Sequence, residues 1–500
     1  MPILRKALGI TAGAGTAIFL WDQYFNSQAL SRTGRTIFVA SLVGLDYKIN
    51  WGPDKDIEAL HDRSARRVYD LIIKNRGLYV KMGQMVAMQS HMLPNGFRER
   101  LPLLFDRAPA DEWPECEALF RQETGKEVSD VFEYVDPVAC ASASMAQVHE
   151  GRLPNGDRVA IKIQHPDIEK LTWWDLNSLK AMIWIYDKIL FDMPMFTIAK
   201  YFADAIETET DFNIERSNAK LMKKLVEGDA KLKHKVYVPG VYDELSTKRV
   251  MVMEWADGTA LSKIDKIKRE FDAKAALSTV FELTCKQVYE WGVVHCDPHP
   301  GNWFVTRENG RQMLIMLDHG LYVHMSQKLT QQYAALWNGF FQGDIKKISE
   351  IVQDWGFGSP EQFTSATMLT QEYEDIPTFE NEQHAKEQMR NFLKDTSRIP
   401  LQLLFVARTH RILQGLNRLY DSPVNRIKTL LDGASEVMLR NHSGTRLNYY
   451  LALLWRRLVL LVNDIVFIGI RIQQVFTHRG LEDFFDSTIE ETAKELVKDA

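Results

Sequence analysis

A short polar loop that leads into an apolar hairpin constrains this sequence more than any other feature. The loop holds Asp297 and Asn302 five residues apart, with two prolines and a glycine between them. Residues 303–306 and 313–317 have the pattern of two strands joined by a turn with an Asn-Gly signature. An antiparallel hairpin brings the start of its first strand beside the end of its second, which places Asn302 next to Asp318. Two oxygen ligands that converge in this way suit a hard cation, so the pattern predicts a magnesium site.

Two interpretations of the loop are open on spacing alone. An isolated Asp-x-x-x-x-Asn is more often a proline-rich surface turn than a site. The alternative is phosphoryl transfer, in which Asp297 orients an attacking hydroxyl or accepts its proton, and Asn302 ligates a magnesium ion on nucleotide phosphates. The hairpin favours the second interpretation, and Asp318-His319-Gly320 is similar to the Asp-Phe-Gly of protein kinases.

Composition sets broad limits on the class of protein. The 500 residues, 45% hydrophobic and 25% charged, are sufficient for two or more hydrophobic cores. A net charge of -5 gives no reason to expect a nucleic-acid partner. The four cysteines are widely spaced without a Cys-x-x-Cys pattern, which predicts free thiols rather than a metal site or a disulfide framework.

The N-terminus has the pattern of a targeting or membrane-associated segment. Arg5 and Lys6 precede an apolar run over residues 7–20, and the first acidic residue is Asp22. The run is shorter than the roughly 20 residues of a spanning helix, so an organelle-directing segment, a membrane anchor and a buried terminal helix are all open. A second apolar run, over residues 36–45, extends the membrane contact or packs within the protein.

A loop of small residues precedes a strand, a turn and a second strand that reads Val-Ala-Ile-Lys and ends at Lys162. This is the pattern of the hairpin that cradles the nucleotide in kinases, where the lysine grips phosphates. An edge-strand lysine that points to water is the alternative. Because Cβ atoms restrict the backbone where kinases use glycine, we expect altered nucleotide handling, such as a changed ADP/ATP preference or weak transfer to polypeptides. The loop residues are Ala141, Ser142, Ala143 and Ser144.

Helical periodicity predicts helices over residues 54–92, 172–192 and 198–226. In the last of these, Glu215 is the candidate for the glutamate that orients the strand lysine of a kinase. An acidic cluster on a helix is more often a solvated face, which is the alternative.

Two shorter patterns, at residues 81–84 and 254–255, do not indicate a function by themselves. Lys81 and Gln84 are three apart and share one face of a predicted helix, where solvated side chains are the usual case. Glu254 and Trp255 end a predicted strand that runs into a polar turn. That is the form of the kinase hinge, whose backbone groups meet adenine, although an ordinary buried strand has the same pattern.

The chain beyond Gly320 is predicted to be helical. It has no Ala-Pro-Glu sequence at the kinase spacing, so a segment that docks peptide substrates is predicted to be missing. The apolar stretch over residues 451–472 predicts an amphipathic helix that packs or lies on a membrane surface, rather than one that spans a membrane. Its polar interruptions are Arg456, Arg457, Asn463 and Asp464.

Taken in order, these motifs resemble the UbiB family of atypical kinases, also called aarF-domain-containing kinases. The resemblance covers about residues 55–325 and rests on Lys81-x-Gly-Gln84, the Ala/Ser-rich loop, Val-Ala-Ile-Lys162, Glu209-x-Asp211 and His295-Cys-Asp-Pro-His-Pro-Gly-Asn302. The Asp-His-Gly sequence, the Ser64–Arg67 run and the short apolar N-terminus are most similar to the mitochondrial subgroup that includes the first animal aarF-domain kinase and its fungal relatives.

The resemblance implies an α+β, protein-kinase-like fold of two lobes. It implies a targeting or membrane-associated segment (1–50), a helical K-x-G-Q extension (51–130), an N-lobe with inserted helices (131–256), a C-lobe (257–440) and C-terminal helices (441–500). In kinases, the packing of the phenylalanine in Asp-Phe-Gly sets the active state of that segment. Because His319 stands at this position, we expect that this change of packing does not operate here.

The resemblance also implies a role for each candidate residue, with ATP or ADP and Mg²⁺ as cofactors. Lys162 would bind phosphates and pair with Glu215, Asp297 would be the catalytic-loop aspartate, and Asn302 and Asp318 would hold magnesium. The K-x-G-Q helix would lie across the active site as a regulatory element. Its residues Lys81 and Gln84 would meet Glu209 and Asp211 there.

The implied function is an atypical kinase or ATPase in mitochondrial lipid or coenzyme Q homeostasis, or in the organisation of the inner membrane. A membrane lipid or other non-protein substrate is expected, at a mitochondrial membrane surface. Two alternatives are open: a nucleotide-binding pseudokinase scaffold, and a soluble small-molecule phosphotransferase of the aminoglycoside or choline kinase type. The K-x-G-Q helix and Glu209-x-Asp211 are not expected in the last of these.

Overall fold

The computed structural model describes residues 17, 20–23, 26–52, 54–87, 93–105, 110–187, 196–342, 344–356, 399–440, 446–477 and 480–481. Residues 1–16 of the predicted targeting segment lie outside this set. The chain divides into two compact units, each assembled from more than one stretch of sequence. Among the described residues, unit 1 contains everything up to Asn213 together with Tyr242–Val252, and unit 2 contains Ile214–Val241 and everything from Met253 onward.

The helices are α1 (Ala29–Asn50), α2 (Ile57–Asn75), α3 (Leu78–Ala87), α4 (Asn95–Arg100), α5 (Trp113–Thr124), α6 (Val128–Val131), α7 (Ile168–Ile185), α8 (Phe196–Thr208), α9 (Phe212–Gly228), α10 (Ile264–Glu270), α11 (Ala273–Lys286), α12 (Gln327–Gln342), α13 (Ile345–Asp354), α14 (Gln402–Leu419), α15 (Arg426–Arg440) and α16 (Arg446–Thr477). The strands are β1 (Tyr134–Val135), β2 (Ala141–Ser142), β3 (Ala146–Arg152), β4 (Arg158–Gln164), β5 (Val236–Tyr237), β6 (Val250–Glu254), β7 (Thr259–Ala260), β8 (Val293–His295), β9 (Trp303–Glu308), β10 (Arg311–Met316) and β11 (Tyr322–His324).

A mixed core of sheet and helices forms the centre of unit 1. The sheet has the order β1-β3-β4-β6, with β2 paired to β3. Along β4, the buried residues Val159, Ile161 and Ile163 alternate with less buried ones, because successive side chains of a strand point to opposite faces. The buried set packs in one cluster with Phe120 of α5. Lys162 therefore lies on the face of the strand away from this core.

The second apolar run of the sequence lies within α1. Thr36 and Val43 are buried, whereas Phe38 and Leu45 are exposed. The Thr36 hydroxyl lies 2.6 Å from the Tyr79 hydroxyl of α3, which ties the buried face of α1 to the rest of unit 1. The run thus packs along one face and leaves the other at the surface.

The prediction of one continuous helix over residues 198–226 is wrong, because residues 209–211 separate α8 from α9. A hydrogen bond from β4 holds this break, since Gln164 Nε2 donates to the Thr210 carbonyl at 2.6 Å. Asp211 Oδ1 then accepts the amide two residues further on at 2.9 Å, the kind of contact that begins a helix. The other two predicted helices are present as α2 with α3 and as α7, and residues 88–92 and 188–192 lie outside the described set.

Unit 2 is organised around the predicted hairpin. β9 and β10 pair antiparallel with Trp303 opposite Met316, within a sheet of order β5-β10-β9-β7. Asn309 and Gly310 both have positive φ, 49° and 77°, as a two-residue turn matched to the twist of the strands requires. The strands, α11 and α14 share one apolar core. The sequence therefore predicted both the strands and the turn of this element.

Helices α12 to α16 complete unit 2. Among the helices that the structure describes, none is both long and apolar enough to cross a membrane. All four cysteines are free thiols, as the spacing predicted.

Candidate functional site

The predicted catalytic loop in unit 2 is held by its own backbone and by one buried arginine. The His299 amide donates to the Asp297 carbonyl (2.7 Å), and the Asn302 amide donates to the His299 carbonyl (2.9 Å). The Asp297 carboxylate forms an ion pair with Arg408 of α14, with Nη2 and Oδ1 3.2 Å apart. The two side chains are only 4% and 15% exposed, so the pair is mostly shielded from water.

Asn302 and Asp318 lie at the same end of the hairpin. Trp303 pairs with Met316, and the Leu317 amide donates to the Asn302 carbonyl at 3.1 Å. Asp318 is the next residue, and its Oδ1 accepts the Gly320 amide at 2.9 Å. The hairpin register thus brings together the two residues that the sequence proposed as cation ligands.

The chemistry of these donors fits a magnesium ion that arrives with a nucleotide. In the described part of the chain, no cluster of three or more His, Cys, Asp or Glu side chains could hold a metal by itself. Magnesium is commonly bound by one or two protein oxygens together with substrate phosphates and water. Asn302 and Asp318 suit that mode, and they would supply part of the ligand set while the nucleotide supplies the rest.

A buried aromatic cluster lies beneath the loop and includes the middle residue of Asp-His-Gly. His319 Nδ1 lies 2.8 Å from the Tyr322 hydroxyl, and Asn218 Nδ2 donates to the His319 carbonyl at 3.0 Å. The His295 ring packs 5.2 Å from that of Tyr322. Burial lowers the pKa of His295, and burial raises the pKa of Tyr322 well above its usual value. Both groups are therefore neutral near pH 7.

The predicted hinge residues have structural partners in unit 2. Glu254 accepts hydrogen bonds from the Tyr237 hydroxyl and from the Gly240 amide. Burial alone would raise the pKa of Glu254, but these hydrogen bonds lower it on balance. Trp255 Nε1 donates to Asp257 Oδ1 at 3.0 Å. The side chains thus fix the segment, and backbone contact with adenine stays a prediction.

Lys162 occupies an interior strand of unit 1. The alternative of an edge-strand lysine is wrong, because β4 lies between β3 and β6. The Lys162 ammonium lies 5.0 Å from the centre of the Phe212 ring, within range of a cation–π contact. Glu215, in the first turn of α9, is 3% exposed and belongs to unit 2. The pairing of Lys162 with Glu215 stays a prediction.

The small-residue loop is a hairpin turn tethered by a histidine that the sequence analysis missed. The Ala143 amide donates to the Ala146 carbonyl at 2.9 Å. His165 Nε2 lies 2.8 Å from the Ala143 carbonyl, and its Nδ1 lies 2.6 Å from Asp111 Oδ2. Both partners accept hydrogen bonds, so the protonated ring, in which both nitrogens donate, satisfies both contacts at once. Burial alone would lower the pKa of His165, but the bond with Asp111 raises it on balance.

An ion pair in unit 1 joins the K-x-G-Q helix to the Glu209-x-Asp211 segment. Lys81 Nζ lies 2.7 Å from Glu209 Oε2, with side chains 17% and 9% exposed. Gln84 instead donates its side-chain amide to the Leu104 carbonyl at 2.8 Å. A Cβ on Gly83 would lie 2.4 Å from Leu104 Cδ1, so the glycine permits this close packing. The Asp211 side chain accepts the Asn213 amide at the start of α9.

Arg408 is the second site residue that the sequence analysis missed. Its position on α14 carried a weak signal, since Phe405, three residues earlier on the same face, is buried, whereas Ile412, four residues later, is only partly buried. An arginine on the buried face of a helix needs a partner, because burying an unpaired charge is unfavourable. The identity of that partner, more than 100 residues earlier in the chain, is not readable from helical spacing.

Comparison with known proteins places this geometry in a family. The model of the ABC1 atypical kinase-like domain matches residues 103–352. An ABC1 family protein of Schizosaccharomyces pombe is 37% identical over 460 residues, covering 88% of this chain and 85% of that protein. AarF domain-containing protein kinase 1 of Xenopus laevis is 29% identical over 420 residues, covering 79% of each. The solved complex of Rv3197 with erythromycin from Mycobacterium tuberculosis covers 72% of this chain and 96% of that one, at 19% identity and a TM-score of 0.45.

The family model and the Schizosaccharomyces pombe relative define a kinase-like protein, and the predicted α+β fold of that class is confirmed. The chain belongs to the ABC1 family of atypical kinase-like proteins, which includes the AarF domain-containing kinases. The family resemblance of the sequence motifs is therefore confirmed.

Proposed function

We propose that this chain is an atypical kinase or ATPase that uses Mg-ATP, with Asp297 as the catalytic-loop aspartate and Asn302 and Asp318 as magnesium ligands. The observation that carries this proposal is the hairpin register, which sets Asn302 and Asp318 at the buried end of the hairpin, next to the loop of Asp297. The kinase-like family model supports the same chemistry.

The remaining roles follow the logic of phosphoryl transfer. Lys162 binds nucleotide phosphates and is oriented by Glu215, while the turn over residues 141–144 covers the nucleotide. Magnesium, when bound with the nucleotide, neutralises charge that develops on the phosphates. Asp297 orients the attacking group, and Arg408 holds the Asp297 carboxylate in one position.

We further propose a membrane lipid or small molecule as the substrate, in mitochondrial lipid or coenzyme Q homeostasis or in inner-membrane organisation. Three features support this proposal. The sequence after Gly320 has no Ala-Pro-Glu element for peptide docking. The Lys81–Glu209 ion pair anchors the K-x-G-Q helix. The chain resembles the mitochondrial subgroup of its family in its motifs.

ATP hydrolysis by the full chain, with and without phospholipid vesicles, tests the proposed turnover. We expect hydrolysis that an Asp297→Asn variant lacks, while that variant retains stabilisation by nucleotide in thermal melting. Equal rates for the two proteins, together with retained nucleotide binding, would establish a pseudokinase scaffold instead.

A comparison of lipids and metabolites between wild-type and Asp318→Asn cells tests the substrate class. We expect a lipid or quinone precursor to accumulate in the variant, with the tagged protein in the mitochondrial fraction. An unchanged lipid profile combined with changes in protein phosphorylation would contradict a non-protein substrate.

A further inference from the structure

Helix α16 turns its apolar side away from the protein. Six side chains spaced alternately four and three residues apart run along it, and each is between 49% and 65% exposed. They are Leu454, Leu458, Leu461, Ile465, Ile468 and Ile472. A helix at the surface of a globular protein normally directs such a stripe towards the core. We call these six residues the outer stripe.

Polar contacts within unit 2 join α16, outside the outer stripe, to α15 and to the residue before it. Lys428 Nζ lies 2.6 Å from Asp464 Oδ2, and Asn425 Nδ2 donates to Asn463 Oδ1 at 2.8 Å. A third contact joins Arg456 to Asp432. Specific partners thus set the rotation of α16, and the exposure of the outer stripe follows from them.

The width and margin of the exposed face decide what can cover it. At 3.6 residues per turn, Trp455, Val462 and Val466 extend the outer stripe to an apolar arc of about 160°. Between Leu453 and Gln474, where every side chain is described, no charged residue lies within this arc. Arg457 and Arg471 lie along one margin, and the acid on that side, Asp464, is already paired with Lys428.

A second copy of the chain fits this face poorly. A two-stranded coiled coil buries a narrow seam and flanks it with charges of both signs. Here the flanking positions on one side hold Trp455 and Val462. The margin on the other side carries a net positive charge, because Asp464 is paired with Lys428, and its arginines would repel their counterparts in a partner helix. A wide apolar face with arginines and a tryptophan at its boundary, continued over roughly 27 Å from Leu454 to Ile472, is the pattern of a helix that lies in a membrane interface.

We infer that the outer stripe of α16 docks onto a phospholipid bilayer surface, with the helix parallel to the membrane and its arginine margin against anionic headgroups. The inference deepens the proposed membrane location and rests on it for its biological context. Its test measures lipid binding alone and is independent of ATP turnover.

The test is co-sedimentation of the full chain with vesicles of phosphatidylcholine, alone and mixed with phosphatidylglycerol. We expect Leu458→Glu/Ile465→Glu to weaken binding to the mixed vesicles on the order of tenfold or more, because two side chains at the centre of the face lose their apolar contact. Arg457→Gln is expected to weaken binding only to the vesicles that contain phosphatidylglycerol.

A matched control makes the same change of charge elsewhere on the surface. Val138 and Ile345 are 73% and 71% exposed and lie outside α16, so Val138→Glu/Ile345→Glu should bind vesicles as the wild type does. Equal loss in both double variants would overturn the inference. So would a wild-type dimer in sedimentation that the stripe variant converts to a monomer without any vesicle binding. Loss of hydrolysis in Asp297→Asn with unchanged vesicle binding would bear only on the proposed reaction.

Discussion

Replacement of Arg408 tests whether this residue positions the Asp297 carboxylate for catalysis or only stabilises the fold. In Arg408→Met, Asp297 loses its buried counter-charge, and we expect ATP hydrolysis to fall on the order of tenfold to a hundredfold, because the carboxylate is no longer held in place. The free energy of unfolding should fall by about 3 kcal/mol, as when one partner of a buried ion pair is removed.

The control for this change is Arg311→Met, at the exposed turn end of β10. Its rate of hydrolysis and its unfolding midpoint should stay close to those of the wild type. If Arg408→Met is less stable yet hydrolyses ATP normally at low temperature, Arg408 has a structural role and none in positioning Asp297.

His319 shows what replaces phenylalanine in the Asp-His-Gly segment. His319→Phe removes the hydrogen bond to the buried Tyr322 hydroxyl, and an unsatisfied buried group costs about 1–3 kcal/mol. The double variant His319→Phe/Tyr322→Phe should recover most of that loss, because both polar partners are then gone. Urea denaturation of the two variants checks this, and equal instability of both would contradict it.

At the scale of single elements, the tether of the small-residue turn should respond to pH. The pKa of His165 is raised in the folded chain, so the tether stabilises the fold fully below the unfolded pKa of about 6.5. That contribution is lost as pH rises through the folded pKa. We expect nucleotide affinity to fall over the same window, because the turn at Ala143 loses a donor.

Titration of nucleotide binding from acidic to mildly alkaline pH checks this expectation. A His165→Gln variant has no imidazolium and should show a flatter profile, with affinity at low pH closer to that of the wild type at high pH. Identical pH profiles for the two proteins would exclude His165 as the origin of any pH dependence.

The contact between α3 and the break before α9 is a second prediction about elements. Lys81 and Glu209 are mostly buried, so a double-mutant cycle with Lys81→Met and Glu209→Gln should give a coupling energy of about 1 kcal/mol or more. Urea denaturation of the wild type, both single variants and the double variant supplies the cycle. Additive losses would mean that the ion pair does not stabilise unit 1.

For the whole molecule, magnesium and nucleotide should bind together. The Asn302 and Asp318 oxygens make an incomplete ligand set, so Mg²⁺ alone should raise the melting temperature little and Mg-ATP much more. At a concentration one hundred times the dissociation constant, the ligand adds about 2.7 kcal/mol to stability. In Asp318→Asn, the increment due to magnesium should be lost while binding of ATP without metal persists. A large shift with Mg²⁺ alone would contradict this assignment.

The sequence predicted those parts of the fold and of the site that depend on residues close together in the chain. The alternation of apolar residues and the Asn309-Gly310 turn determine the hairpin, and the hairpin by itself brings Asn302 and Asp318 together. Features created by distant partners were not predictable. The break over residues 209–211 contains neither glycine nor proline and depends on Gln164, far away in sequence. The ion pair of Arg408 and the tether of His165 likewise depend on contacts that only the folded chain makes.

The way the backbone passes between the two units has a practical consequence for dissecting this protein. The chain leaves unit 1 after Asn213, returns to it for Tyr242–Val252 and leaves it again, and the first and last of these transitions fall inside α9 and β6. No single cut therefore yields an intact half. Split-reporter fusions and domain exchanges with relatives should therefore keep residues 212–254, which contain α9 and β6 whole, as one uninterrupted segment.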